Sequence, residues 1–200
     1  GFVLGPRINA GGRVGKASIG SRLLCSVNPM EAKQLADELN GFNQERKDIE
    51  GFVLEQSIEM LEGTPQSWPM AFVYNKGWHQ GVIGIVAGKL KERYNLPAFV
   101  MSIEDDEVKG SARSIPSVDL GALIIAAKEK GVLTKGGGHT MAAGFSLTEA
   151  QIPAFRTFAG EYIARSLNNT RPHPVINIDL SLSLPAANAG LCSALERLKP

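Results

Sequence analysis

The sequence predicts an α/β fold, a sheet flanked by helices and preceded by one long connecting helix. Three observations carry this. Apolar residues keep a helical period from Leu35 to Leu61; short apolar strands alternate with helices from residue 65 onward; and a polar, proline-bearing break at 168–174 is followed by a different pattern.

Two hundred residues suffice for one ordinary domain or a small domain with flanking pieces. A hydrophobic share of 44% and a charged share of 20% exclude a disordered or fibrous chain. With 21 Lys+Arg against 20 Asp+Glu the net charge is +1, so nucleic-acid binding must rest on local groups. No apolar run approaches the roughly 18 residues of a membrane span, and GFVLGPRINAGGR lacks a signal peptide's core, so a cytoplasmic protein is expected. Cys25 and Cys192 lie far apart without CxxC or Cys/His spacing; neither a disulfide framework nor a metal site is expected, only two buried thiols.

Residues 1–16 read as a glycine-rich loop carrying Arg7, Arg13 and Lys16. Asn28-Pro29-Met30-Glu31 is a helix start: Asn28 can cap, Pro29 suits the first turn, and Glu31 can close a capping box. The periodic Leu35, Leu39, Phe42, Ile49, Phe52, Val53, Ile58 and Leu61 follow, interrupted by Gly41 and Gly51. A helix of this length connects two bodies, and Gly63-Thr64-Pro65 ends it.

Strands are then expected at Met70–Tyr74, Ala98–Ile103, Val108–Ser114 and Met141–Leu147. Helices fall at Gln80–Tyr94, at Val118–Lys130 closed by Gly131, and from Thr148 or Pro153 to Leu167. Asp105-Asp106-Glu107 forms a hairpin tip, and Gly136–Gly138 a flexible turn. After Asn168–Pro174, Val175–Leu182 alternates like a half-buried strand and a helix covers about 186–198, too little for a core of its own. Both ends therefore read as cut from something longer.

Four segments could carry chemistry. In GPRINAGGR, Arg7 and Arg13 suit bidentate phosphate contact, although two solvated arginines on a surface loop explain the residues equally simply. In GWHQGVIGIVAG, Ile83, Ala87, Leu90 and Tyr94 form an apolar stripe and Gly81, Gly84 and Gly88 a smooth side. Close packing accounts for Gly84 and Gly88, while Trp78 and His79 are weaker candidates for base stacking or phosphate contact. In SARS, alternation puts Ser111 and Arg113 on one face, a hydroxyl beside a guanidinium, suited to a terminal phosphate or to an ordinary surface ion pair. GGGHTMAAG joins a turn whose backbone can approach a ligand to one imidazole, His139.

In this order the blocks GPRINAGGR, GWHQGVIGIVAGKLKERY, SARS and GGGHTMAAG resemble the C-terminal motifs of the RecJ family of single-stranded DNA exonucleases, within the DHH phosphoesterase superfamily. The family loop usually reads GPRINAAGR, and Gly11 keeps a small residue there. The resemblance implies a DHHA1-type mixed sheet and four parts. Residues 1–27 would end the catalytic DHH domain, 28–64 would be the connecting helix, 65–167 the DHHA1 substrate-binding domain, and 168–200 a linker with the start of an OB-type region.

It further implies 5′-to-3′ hydrolysis of single-stranded DNA in repair and recombination, with Mn²⁺ or Mg²⁺ held by an N-terminal DHH domain that this chain lacks and no metal held here. Ser111 and Arg113, flanked by Ser114, would anchor the 5′-phosphate with Arg7 or Arg13. Gly137, Gly138 and the catalytic candidate His139 would face the metal centre. The implied partners are single-stranded DNA, the DHH domain and a single-stranded-DNA-binding protein. Two other readings are a related phosphodiesterase acting on short oligonucleotides or cyclic dinucleotides, and a non-catalytic nucleic-acid-binding module.

Overall fold

The computed structural model describes residues 2–63, 69–176 and 178–198. Thr64 and Pro65, expected to end the long helix, the boundary expected at residue 65, and Asn177, expected within a strand, lie outside the described residues.

The glycine-rich loop expected at residues 1–16 is instead a helix, α1 (Leu4–Val14), and a second helix, α2 (Ser18–Cys25), follows it. Pro6 falls in the first turn of α1, where its missing N–H has no intrahelical partner to lose. Gly11 and Gly20 serve close packing rather than a turn. A Cβ on Gly11 would lie 3.2 Å from Leu39 Cδ2, and one on Gly20 would lie 2.8 Å from Ile8 Cγ2.

The connecting helix α3 runs Pro29–Glu62, about 50 Å long at 1.5 Å per residue. Asn28 caps it, its side chain accepting from the Met30 N–H at 3.0 Å. Glu31 does not close a capping box. It turns back to Arg22 and to the Ser26 hydroxyl, both at 2.9 Å, tying α2 to the start of α3. Near its start α3 buries Leu35 and Leu39 with Ile19; further along it buries Val53 and Leu61 in a separate apolar cluster.

Five strands form one mixed sheet: β1 (Ala71–Lys76), β2 (Ala98–Glu104), β3 (Glu107–Arg113), β4 (Lys135–His139) and β5 (Ala142–Thr148), in the order β1-β2-β3-β5-β4. β1 and β2 are parallel, joined across α4 (Gln80–Tyr94); the other pairings are antiparallel. The β2–β3 hairpin turns at Asp105, which takes a positive φ of 52°. α5 (Leu120–Glu129) is capped by Lys130 and followed by Gly131, whose φ of +71° suits a chain leaving a helix. α6 (Ile152–Ser166) follows β5.

The expected turn at Gly136–Gly138 is instead edge strand β4. Three glycines weaken a strand, but two are needed here. A Cβ on Gly136 would meet Ile124 Cγ2 of α5 at 2.6 Å, and one on Gly138 would meet the Ala142 carbonyl oxygen at 2.5 Å.

Alternation sorts the sheet's faces. Phe72, Phe99, Met101, Val108, Ala112, Phe145 and Leu147 pack on Leu123 and Ile124 of α5 and on Phe155, Ala159 and Ile163 of α6. Ala71, Val73, Ala98 and Val100 face the other way, under Val82, Ile83, Val86 and Leu90 of α4 and Val53 and Leu61 of α3.

Two further expectations are corrected. Val175–Leu182 contains no strand among its described residues, and Val175, Ile176, Ile178 and Leu180 stand exposed; an alternating pattern without a neighbouring strand has no ladder to join. Only α7 (Ala189–Glu196) is regular within the expected 186–198 helix. Cys25 and Cys192 are exposed, not buried.

Candidate nucleic-acid interface

The face of β3 that meets α4 carries Lys109, Ser111 and Arg113. Its register extends each of them across the sheet into a row. Arg113 continues through Ala142 to His139, Ser111 through Gly144 to Gly137, and Lys109 through Ser146 to Lys135. α4 overlies β2 and β3, whereas Gly144, Gly137, His139 and Lys135 are exposed. The middle row is therefore a floor without side chains, leading from Ser111 to the β4 edge over about 10 Å.

At the inner end of that floor, Arg113 Nη1 donates to Ser111 Oγ at 3.2 Å and to the Ala112 carbonyl at 2.9 Å. Gly84 of α4 makes room for this pair. A Cβ there would lie 3.0 Å from Ser111 Oγ and 3.2 Å from Arg113 Nη2. The expected packing role of Gly84 is thus played against the two polar residues, while a Cβ on Gly88 would meet nothing within 4 Å, so packing does not explain that glycine.

The structure separates the two arginines of the first motif. Arg7 turns toward α3, donating to Asn40 Oδ1 at 2.6 Å and the Val3 carbonyl at 2.7 Å. Arg13 reaches α4 and donates from Nη1 to the Gly81 carbonyl at 3.1 Å, lining with Ser111, Arg113, Lys109 and Gln80 a cleft of about 370 Å³. Burial, and then the charge of Arg13, lowers the pKa of the Arg113 guanidinium. Two cations converging beside a hydroxyl make a pocket whose repulsion an arriving anion would offset.

The β4–β5 turn is fixed from the opposite side. The Leu120 N–H donates to the Thr140 carbonyl at 3.0 Å, and the Ser114 N–H donates to the Met141 carbonyl at 2.9 Å. His139 is thereby held at the end of β4, paired with Ala142 and exposed. Gly138 is a packing glycine, as above. Gly137 is not: a Cβ there would meet nothing within 4 Å, so its bareness answers to no neighbour in the chain.

Of three further sequence candidates two are buried, and the third, His79, lines an adjoining cleft with Arg13 and Lys109. Trp78 is 3% exposed, its Nε1–H donating to Gln56 Oε1 of α3 at 2.7 Å, so its ring is part of the core and has no face for a base. Ser114 is buried and its hydroxyl donates to the Val118 carbonyl, closing the turn into α5. His79 is exposed, but as the N-cap of α4 its Nδ1 accepts from the Gly81 N–H at 3.0 Å, leaving Nε2 as the group that can meet a ligand. Sequence reasoning missed Lys109 and Lys135. Extending the alternation of Ser111 and Arg113 by one step reaches Lys109; Lys135 required the strand register of β4.

Among the described residues no three His, Cys, Asp or Glu side chains converge as a metal site. No helix among the described residues is long and apolar enough to cross a membrane.

Residues 68–165 match the family model of the DHHA1 domain. The whole chain is 34% identical to the single-stranded-DNA-specific exonuclease RecJ of Dickeya dadantii, covering 36% of that protein. Over 84% of its length it is 39% identical to RecJ of Escherichia coli, covering 30% of it. A crystal structure of RecJ in complex with Mn²⁺ from Thermus thermophilus superposes on 98% of the chain with a TM-score of 0.78 and 33% identity, the match covering 28% of that structure. The chain thus spans about a third of the length of the curated relatives it matches.

Proposed function

The chain belongs to the DHHA1 family through residues 68–165 and is related along its whole length to RecJ exonucleases, and from that premise we propose that it is the strand-gripping part of a single-stranded DNA exonuclease. One observation supports the reading above others: the pocket of Arg13, Ser111 and Arg113 opens onto the bare Ser111–Gly144–Gly137 floor that ends beside His139.

In this reading the pocket takes the 5′-terminal phosphate. Arg113 and Arg13 supply charge and the Ser111 hydroxyl a further donor, as end recognition without base reading requires. The terminal nucleotide lies over Gly144 and Gly137, and the next phosphodiester comes to the β4 edge, where His139 and the exposed Gly137 backbone meet it. Residues 65–167 are then the substrate-binding unit, with residues 1–27 and α3 joining it to the rest of a longer protein. The relatives solved with Mn²⁺ or Mg²⁺ support a dication for the chemistry, and in this reading it is held by a part of the protein outside this chain. A single-stranded-DNA-binding protein as a further partner rests on the family resemblance alone.

Fluorescence anisotropy of the chain with 5′-phosphorylated and 5′-hydroxyl oligonucleotides across a salt series tests the reading. Tighter, salt-dependent binding of the phosphorylated strand is expected. Equal binding of both ends at every salt concentration would remove end recognition from this chain.

A further inference from the structure

Along the outer edge of the bare floor runs the row Lys109–Ser146–Lys135, and we propose that it is a second backbone contact, taking an internal phosphodiester of the bound strand. The inference rests on the single-strand reading above and adds a place for the strand beyond its first nucleotide.

The register carries it. Lys109 on β3 and Lys135 on β4 both pair with Ser146 of β5, so the two lysines rise from one face with their backbone positions about 10 Å apart and a hydroxyl-bearing residue between them. This row lies one alternate step, about 7 Å, from the Ser111–Gly144–Gly137 floor, on the side away from Arg113 and His139. Cationic groups thus border the floor on both sides, Arg113 on one and the two lysines on the other.

These lysines have little else to do. Lys135 is exposed and forms no ion pair among the described residues. Lys109 has a loose contact at 3.8 Å with Glu107, the next residue on its own face, and both ends of that pair are about half exposed. An ion pair of that kind contributes little to stability. Glu104 and Glu107 at the hairpin tip lie beyond Lys109, so the favourable path for a polyanion runs along the lysine row and not over the tip.

Ammonium groups on flexible stems suit this task, since a phosphodiester needs charge at a point and no base need be read. The end pocket, by contrast, presents the planar fork of Arg113. The ligand of the row is therefore the sugar–phosphate backbone of a strand longer than one nucleotide.

The test compares the chain with its Lys109→Ala and Lys135→Ala variants against two probes, a 5′-phosphorylated oligothymidylate and thymidine 5′-monophosphate. Each variant is expected to bind the oligonucleotide about threefold more weakly at low salt. The slope of log K against log salt should fall by about 0.7 per lysine removed. Monophosphate binding should stay unchanged in Lys135→Ala, whose side chain lies outside the end pocket, and Lys135→Arg should restore the slope.

An unchanged slope for the oligonucleotide overturns the second contact while leaving the end pocket standing. Equal weakening of both probes by Lys135→Ala also overturns it, because Lys135 would then belong to the end pocket. Oligonucleotide binding that depends on the lysines but ignores the 5′-phosphate keeps the row and sinks the end-recognition reading. No binding of the oligonucleotide by the unaltered chain overturns both.

Discussion

Arg13 and Gly81 meet across the junction of α1 and α4: the guanidinium donates to the Gly81 carbonyl at 3.1 Å, and the Gly81 α-carbon faces the Arg13 backbone so closely that a Cβ would stand 2.2 Å from the Arg13 carbonyl oxygen. The contact brings an arginine from the first motif to a pocket built by residues about a hundred positions later.

Gly81→Ala therefore forces α1 away from α4. The obstacle is backbone, which cannot rotate aside, so a cost of about 1–3 kcal/mol is expected in urea unfolding. The same variant should lose much of its preference for a 5′-phosphorylated strand, because Arg13 moves with α1. Gly88→Ala is the control on the same helix: with nothing within 4 Å, it should stabilise by about 1 kcal/mol and bind as before.

Arg113→Ala removes the group that bonds to Ser111 and carries the pocket's innermost charge. Hydrogen bonds to charged groups contribute about 1.5–3 kcal/mol, so the preference for 5′-phosphate over 5′-hydroxyl should fall by about ten- to a hundredfold. Arg113→Lys should recover only part of it, since a lysine lacks the fork that reaches Ser111 and a phosphate together. Anisotropy with the two end chemistries measures this, and an Arg113→Ala chain that still prefers the phosphorylated end would dissociate the pocket from Ser111 and Arg113.

The periodic elements were legible in the sequence because burial alone dictates them. Leu35 to Leu61 marks α3, and the apolar runs at 70–74 and 98–103 mark β1 and β2. What failed was glycine. In α1 and in β4 it reads as loop by conformational freedom, yet Gly11, Gly136 and Gly138 are there because helices and strands approach too closely for a side chain, a tertiary fact with no local signature. The site was legible to the extent that it is local. Ser111 and Arg113 share a strand face by simple alternation, whereas the choice of Arg13 over Arg7, the burial of Trp78 and Ser114, and the placing of Lys135 all depend on which elements become neighbours.

Glu50 lies 5% exposed on α3 with Arg46 and with Lys89 of α4, the Lys89 contact at 2.5 Å. It locks the connecting helix to the helix that roofs the pocket. Glu50→Ala leaves the Arg46 guanidinium, itself largely buried, without its carboxylate, so a loss of about 3–5 kcal/mol is expected. Chemical denaturation checks this, and a loss below about 1 kcal/mol would show that Arg46 finds water or another partner.

Glu31 gives a pH signature. Hydrogen bonds from Arg22 and Ser26 hold its carboxyl below the usual value of 4.5. A depressed folded-state pKa means that the stabilisation is present above the unfolded value and lost as pH falls through the folded one. The melting temperature of the chain should therefore exceed that of Glu31→Gln at neutral pH and converge with it in more acidic solution, below the depressed pKa. A gap that persists undiminished in acid would show that the carboxylate charge is not what joins α2 to α3.

The two neighbouring glycines of β4 separate packing from ligand access. At Gly138 an added methyl would stand 2.5 Å from the Ala142 carbonyl oxygen and 2.6 Å from Ala143 Cα, so Gly138→Ala should distort the β4–β5 hairpin at a cost of about 1–3 kcal/mol. At Gly137 the methyl would enter open space, and relief of glycine's backbone entropy should stabilise the strand by about 0.5–1 kcal/mol. If the floor beneath a bound strand must be bare, Gly137→Ala will nonetheless weaken oligonucleotide binding, giving a variant that is more stable and less able to bind. Measuring both quantities on this one variant decides the point: binding that survives intact would mean that the strand does not pass over Gly137, and the path from Ser111 to His139 would have to be redrawn.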